Sequence, residues 1–440
     1  MNTAPTQQRR DKKKKMKNWV SVLFTFLFLS IVFLRNVNST SAISVASNYV
    51  FVWAGDAAHK SSDFLAVVDA QTSSPTYAQV VATLPIGAVG TMPHHTEYEY
   101  PEHNVLFANG WTGNETFLFD LNRPLQPRVV GQFRGRDGYT FAHSFSRLPN
   151  GNVLAAFQSH GDGYAPGGGL IELDDTGAVV RSASALDRAV DKDLIWPYSL
   201  AVLPQTDRVI STSTPMGWPE WAKLPPGSWP FDKINAQDTA HLQVWRLSDL
   251  HLLKTLILAD RSGGKHHLLP AEPRILSDGS VLVVTFTCGL FRVNDLNTDN
   301  PSTKMIYTFP GGDTEHTMCA VPVVVGHYWI QTVPALPGLI ALDVSNPDKP
   351  VEVSRLKFDS GFTMTHWIAA DRKSDRLVIT GHEQSWLLVA RFDAKIGELA
   401  LDNTFREPGS SRLGLNFDRQ DWPHGKTGPA VVHGALFGPR

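Results

Sequence analysis

Cysteine is scarce: Cys288 and Cys319 are the only two in 440 residues. Two cysteines exclude a disulfide-built scaffold and a zinc ribbon. Charge is thin as well, at 19% Asp, Glu, Lys and Arg, although 42% hydrophobic residues exclude wholesale disorder. No segment sustains the 3.6-residue periodicity of a long amphipathic helix, which argues against a helical bundle. Basic residues are short in the body of the chain. Eight of the 40 Lys and Arg, but only one of the 42 Asp and Glu, fall within residues 1–46, leaving 32 bases against 41 acids beyond. A body that acidic is a poor candidate for nucleic-acid binding, which relies on Lys and Arg at phosphates.

Turn formers and aromatics are plentiful. The chain has 34 Gly and 29 Pro, spread without a period, and 12 Trp. That composition favours many short strands joined by turns.

Beyond residue 46 one phrase recurs: a polar residue, often His, then an apolar strand, a tight turn and a second strand. It reads HHTEYEYPEHNVLFANG from His94, AHSFSRLPNGNVLAAFQSHG from Ala142 and PYSLAVLPQTDRVISTST from Pro197. It returns as EPRILSDGSVLVVTFT from Glu272, HTMCAVPVVVGHYWIQTV from His316 and THWIAADRKSDRLVITGH from Thr365. Asn150-Gly151 and Asp278-Gly279 are hairpin-turn chemistry, and the second strands alternate with β-branched residues. The starts are 44–74 residues apart, the longest interval holding a Pro- and Trp-rich insertion with Trp218, Trp221 and Trp229. Outer strand pairs follow, as in GGGLIELDDTGAVVRS and GLIALDVSNPDKPVEV. Four strands at such a period make a propeller blade. Six starts are visible, and the terminal strands NYVFVWAG and AVVHGALFG remain to close another blade. The expectation is an all-β, seven-bladed β-propeller forming a single domain over 47–440.

The innermost strand of each blade runs beside the central channel. His95, His143, His316 and His366 stand at or just before those strands, and His433 lies on the closing strand. Imidazoles arriving from different blades make a nitrogen-rich site suited to copper, iron or zinc. His94 adjoins His95, and strand neighbours face opposite sides. Both reach one metal only if the chain turns there, which Pro93 favours by restricting Met92 and its own φ. His160, His251, His327 and His382 fall at strand ends or turns and are expected to be solvated. Glu272, two residues before Arg274, is a candidate catalytic base or a support for a ligand histidine; an Arg–Glu pair pinning a blade start is the plainer alternative. Cys288 and Cys319 read as two buried thiols in strands, with one disulfide as the alternative.

The N-terminus carries RRDKKKKMK at 9–17 followed by the 16-residue apolar run Trp19–Leu34. A basic flank before such a run is the layout of an export signal. The run lies between the lengths of a cleaved signal and a spanning helix. Ser44-Val45-Ala46 suits cleavage and Arg35 suits a retained anchor, so both stay open. Either way, residues 1–46 form a basic tail plus signal or membrane anchor, and the body is exported.

Taken in order from about residue 91, these pieces resemble the selenium-binding protein family, whose bacterial activity is methanethiol oxidase. The resemblance rests on MPHHTEY, NGNVLAAFQSHGDGYAPGGGLIELD, PYSLAVLPQTDRVISTS, HLQVWRLSDLHLLKTLIL with LLPAEPRIL, and GPAVVHGALFG. It implies a seven-bladed propeller with a histidine copper site, matched here by His94, His95, His143 and His433. His316 and His366 come from the repeat alone. It also implies a small thiol substrate, converted with dioxygen and water to aldehyde, sulfide and peroxide. The Cys-rich motif that animal and plant members carry after the paired histidines is replaced by TEYEYPEHN, which has no cysteine. Two other readings compete: a non-catalytic propeller that binds a ligand or protein through the insertion's tryptophans, and a four-histidine iron oxygenase.

Overall fold

At Asn150-Gly151 the chain reverses between strands Tyr139–Arg147 and Val153–His160, with Gly151 at a φ of 87°. Gly279 does the same at 83° between Pro270–Ile275 and Val281–Thr285. Only glycine adopts such angles without a Cβ penalty. These hairpins are the inner halves of blades. The computed structural model describes Met1 and residues 47–439, except 191–194, 217–239, 259–266, 311–317, 360, 363 and 383. The apolar run Trp19–Leu34, the insertion's Trp218, Trp221 and Trp229, and His316 lie outside the described residues. Contacts divide the chain into Met1–Val45 and Ala46–Arg440. Among the described residues there is no α-helix, and no helix long and apolar enough to cross a membrane.

Seven antiparallel sheets each contain a path of four strands. The inner strands of blades 2 to 7 are Pro93–Thr96, Tyr139–Arg147, Pro197–Leu203, Pro270–Ile275, Pro322–Val325 and Thr365–Ala370. Blade 1 is composite. Its inner strand is the C-terminal Ala430–Phe437, paired with Tyr49–Asp56, and Phe64–Asp69 and Val80–Pro85 complete it. Adjacent inner strands touch one another in order around a closed ring. The architecture is the seven-bladed propeller expected from the repeat, and the two terminal strands meet as expected.

Blades hold together face to face through large apolar side chains. Trp53 of blade 1 meets Phe117 and Phe119 of blade 2 with ring centroids 5.5 and 5.4 Å apart. Trp53, Trp245, Trp329 and Trp367 are all fully buried. Each such burial contributes about 1.5–3 kcal/mol or more. The outer strands alternate instead, as in Val351–Lys357, where every second residue is exposed.

Cys288, in a turn of blade 5, and Cys319, just before the inner strand of blade 6, form a disulfide with Cα atoms 4.9 Å apart. This corrects the expectation of two separate thiols. The backbone at 318–321, entering the inner strand, passes the blade 5 turn, where the Cys319 amide donates to the Phe286 carbonyl at 3.0 Å.

Candidate metal centre

A regular strand would send consecutive side chains to opposite faces. Six of the seven inner strands break that rule. The ladder slips between Pro93 and Thr96, Ala142 and Ser144, Pro197 and Leu200, Pro270 and Glu272, and Thr365 and Trp367. In blade 1, Val432 and Ala435 face Ala54 and Val52, so the extra residue falls at His433–Gly434. A β-bulge inserts a residue, bends the strand and re-aims side chains. Met92, Phe141 and Met364, each two residues before a site histidine, hold φ values of 56°, 59° and 48°. Such angles are uncommon outside glycine and cluster where the surroundings over-determine the backbone.

Polar side chains of the second strands fix these bulges. Asn109 accepts the His95 amide at 2.6 Å and donates to the Ala142 carbonyl at 2.8 Å, joining blades 2 and 3. Thr212 donates to the Ala271 carbonyl at 2.6 Å, Thr332 to the His366 carbonyl at 3.3 Å, and Thr380 to the His433 carbonyl. The second strand of one blade thus holds the backbone of the next blade's site residue.

The bulges bring five histidines from four blades together. Ring centroids are 4.4 Å apart for His94–His95, 4.2 Å for His94–His433, 4.3 Å for His95–His143 and 4.5 Å for His366–His433. His94, His95 and His433 can each present a nitrogen within 4.8 Å of the others. All five side chains are buried. Trp111 lies 5.4 Å from His143 and Trp367 5.0 Å from His95, both edge to face, so aromatic rings wall the cluster.

The ring nitrogens are largely unpartnered. Both nitrogens of His94, Nε2 of His95, His143 and His433, and Nδ1 of His366 are buried without a hydrogen bond. His143 Nδ1 lies 2.9 Å from the Tyr198 carbonyl, which only accepts. The proton is therefore on Nδ1 and the lone pair on Nε2. Burial drives His94, His95, His366 and His433 well below the ordinary imidazole pKa, and neighbouring imidazoles add to it. Burial also pushes His143 down to about 3, against the Tyr198 contact, which favours the proton. Neutral imidazoles with free lone pairs are ready to ligate.

His382 corrects the expectation of a solvated turn residue. It is half-buried, with its ring 5.3 Å from His366 and 5.6 Å from His433. His160, His251 and His327 are exposed as expected. Position within one repeat hid His382, because it closes the second strand of blade 7 rather than opening the first.

Glu272 is fully buried but lies beyond the cluster's edge. Its Oε2 accepts from Tyr98 at 2.7 Å, Ser199 at 2.8 Å and Arg274 at 2.9 Å. The Arg–Glu pair and the support role coexist, and the carboxylate reaches the histidines only through hydroxyl groups. Tyr98 and Tyr198 were not anticipated; the spacing of HHTEY and the PYS at a blade start were the available signals.

Two openings flank the cluster. A recess of about 310 Å³ at the mouth where inner strands begin is lined by Asp56, His59, Asp63, Met92, His382 and His433. A basin of about 1180 Å³ lies where the inner strands end and reaches Tyr98 and Arg274 but none of the cluster histidines. The smaller opening is the one that reaches the cluster.

Fold and site define a seven-bladed propeller with a buried, axial histidine cluster. Within that class the chain is related to the selenium-binding proteins. Selenium-binding protein 2 of Arabidopsis thaliana is 24% identical over 302 residues, 63% of this chain and 55% of that protein. Selenium-binding protein 3 of the same plant is 25% identical over 303 residues, 63% and 56%. The chain thus matches about half the length of these relatives. No family model matches. Among solved structures, a hypothetical selenium-binding protein from Sulfolobus tokodaii has a TM-score of 0.66 at 14% identity, covering 89% of this chain and 93% of that one. A periplasmic gluconolactonase from Pseudomonas aeruginosa has 0.58 at 11%, covering 84% and 96%. At such identities the structures establish the fold.

Proposed function

We propose that this chain is an exported, copper-dependent oxidase of small sulfur compounds. The observation that carries the reading is the set of buried imidazoles with unpartnered nitrogens converging from four blades. Burying that many unsatisfied polar atoms is costly unless something binds them. An all-imidazole donor set suits copper, iron or zinc and disfavours calcium and magnesium, which take oxygen ligands. His94, His95 and His433 would hold the ion, with His143 and His366 in reach. Bound copper would supply redox turnover with dioxygen and a soft position for a thiolate.

The chain's own residues do the rest. The recess beside His382 and His433 would admit the thiol, and its volume of about 310 Å³ suits a small molecule rather than a long apolar one. This favours thiol oxidation over the iron oxygenase reading. His382, which lines the recess, is the residue we assign to take up the S–H proton. Trp111 and Trp367 exclude bulk water from the histidines. Selenium binding through cysteines has no support in TEYEYPEHN.

Export is supported by the basic-apolar N-terminal pattern and by the Cys288–Cys319 disulfide, which persists in oxidising compartments. The whole reading is tested by giving the copper-loaded protein methanethiol and oxygen. Formaldehyde, sulfide and peroxide in equal amounts are expected; no turnover by fully loaded protein overturns the activity.

A further inference from the structure

The hydroxyl of Ser144 sits at a junction. It lies 3.1 Å from His143 Nδ1, 3.4 Å from His95 Nδ1 and 3.4 Å from the Tyr98 hydroxyl. A serine has one proton to give, so its partners compete for it. His143 does not need it, because its Nδ1 proton faces the Tyr198 carbonyl. The contest is between His95 and Tyr98.

Tyr98 decides it. Its own proton points at the Glu272 carboxylate, 2.7 Å away, and an ionised carboxylate only accepts. Burial and the charge of Glu272 both raise the Tyr98 pKa, so the phenol keeps that proton. Ser199 spends its proton on the same carboxylate oxygen. The Tyr98 oxygen is left with lone pairs facing Ser144, which donates there and therefore accepts from His95. Every donor on the line from His95 through Ser144 and Tyr98 points towards Glu272. The opposite arrangement, with Ser144 donating to His95, would put that histidine's proton on Nε2, a buried atom with no partner. Trp367 stacked on Tyr98 at 5.1 Å, and the Arg274 guanidinium 4.1 Å over the same ring, hold the phenol in place.

We propose that Tyr98, oriented by Glu272, is a positioning residue that fixes the tautomer of His95 through Ser144, keeping the Nε2 lone pair turned towards the histidine cluster. The inference deepens the metal-centre reading and rests on it for its purpose, but the tautomer is a property of the metal-free chain. Such partners of ligand histidines set metal affinity as well as orientation.

The test uses metal-free protein labelled with nitrogen-15 at histidine. Long-range proton–nitrogen NMR at neutral pH is expected to show Nδ1-protonated His95 and His143 in the parent chain. In Tyr98→Phe, which keeps both ring contacts, His95 should shift to the Nε2-protonated form while His143 stays as it was. The copper(II) dissociation constant should then rise by roughly 10–100-fold. Should Tyr98→Phe not fold, Ser144→Ala serves: His95 should lose its tautomer preference and His143 keep its own. An unchanged His95 tautomer in a folded variant overturns the proposal. A parent chain that binds no copper removes the metal reading and leaves the tautomer result to stand or fall by itself.

Discussion

His94 and His95 are neighbours in sequence, yet their rings lie stacked, 4.4 Å between centroids and 13° between planes. A regular strand cannot do this; the bulge between Pro93 and Thr96 can. The relationship places two imidazoles of one blade beside those of three others at the propeller's axis.

Gly434 is part of that arrangement. A Cβ there would lie 2.9 Å from the His94 carbonyl and 3.0 Å from the Thr96 methyl. Gly434→Val should cost about 1–3 kcal/mol of stability by overpacking. It should also weaken copper binding at least tenfold. Thermal melts and a metal titration check both, and a variant with unchanged affinity would show that the close approach does not serve the centre.

Acidity should destabilise the metal-free fold. The five buried histidines have native pKa values below the unfolded value of about 6.5, so the unfolded chain binds more protons at lower pH. Their stability contribution is full above pH 6.5 and falls as pH drops, continuing to about pH 3 for His143. The slope is up to about 1.4 kcal/mol per pH unit for each histidine. Urea unfolding at pH 7.5 and 5.5 measures it, and the double variant His143→Gln, His366→Gln should give a flatter profile.

Much of this was legible in the sequence. The hairpin turns at Asn150-Gly151 and Asp278-Gly279 and the recurring strand pairs mark blades because local turn chemistry and period-2 alternation are written in neighbouring residues. The terminal strands were recognisable as partners because six starts leave one blade short. The site was half legible. A histidine at a blade start identifies the axis, but the bulges that aim His94 and His433 inward depend on Asn109 and Thr380 in other strands. His382 joins the cluster from the end of the second strand of blade 7, beside His366 of the same blade and His433 of the next, a place that a reading of the first strands alone does not single out. The Cys288–Cys319 bond was one of two open readings, and the choice between them depends on how two neighbouring blades meet.

The disulfide closes a segment with a sequence separation of 31. In the chain-entropy picture such a crosslink is worth about 3–4 kcal/mol. Cys288→Ser with Cys319→Ser should lower the melting temperature by several degrees, and a reducing agent should lower the parent's and not the variant's. Equal melting temperatures with and without reductant would show that the bond adds nothing.

Ring closure should be cooperative. Ending the chain at residue 429 removes the inner strand of blade 1 and leaves Tyr49–Asp56 with an unpaired edge. The truncated protein should lose its sheet signal and aggregate. A truncated chain that melts as the parent does would mean the closing strand is dispensable.

Whether the axial histidines form a metal centre is read from metal content together with electron paramagnetic resonance. Protein recovered from an oxidising compartment should hold one copper per chain, with nitrogen hyperfine splitting in the oxidised state. His433→Ala and His95→Ala should each lose that copper while remaining folded. A folded parent chain that carries no stoichiometric metal, or variants that keep the copper with unchanged splitting, would show that these histidines hold no metal.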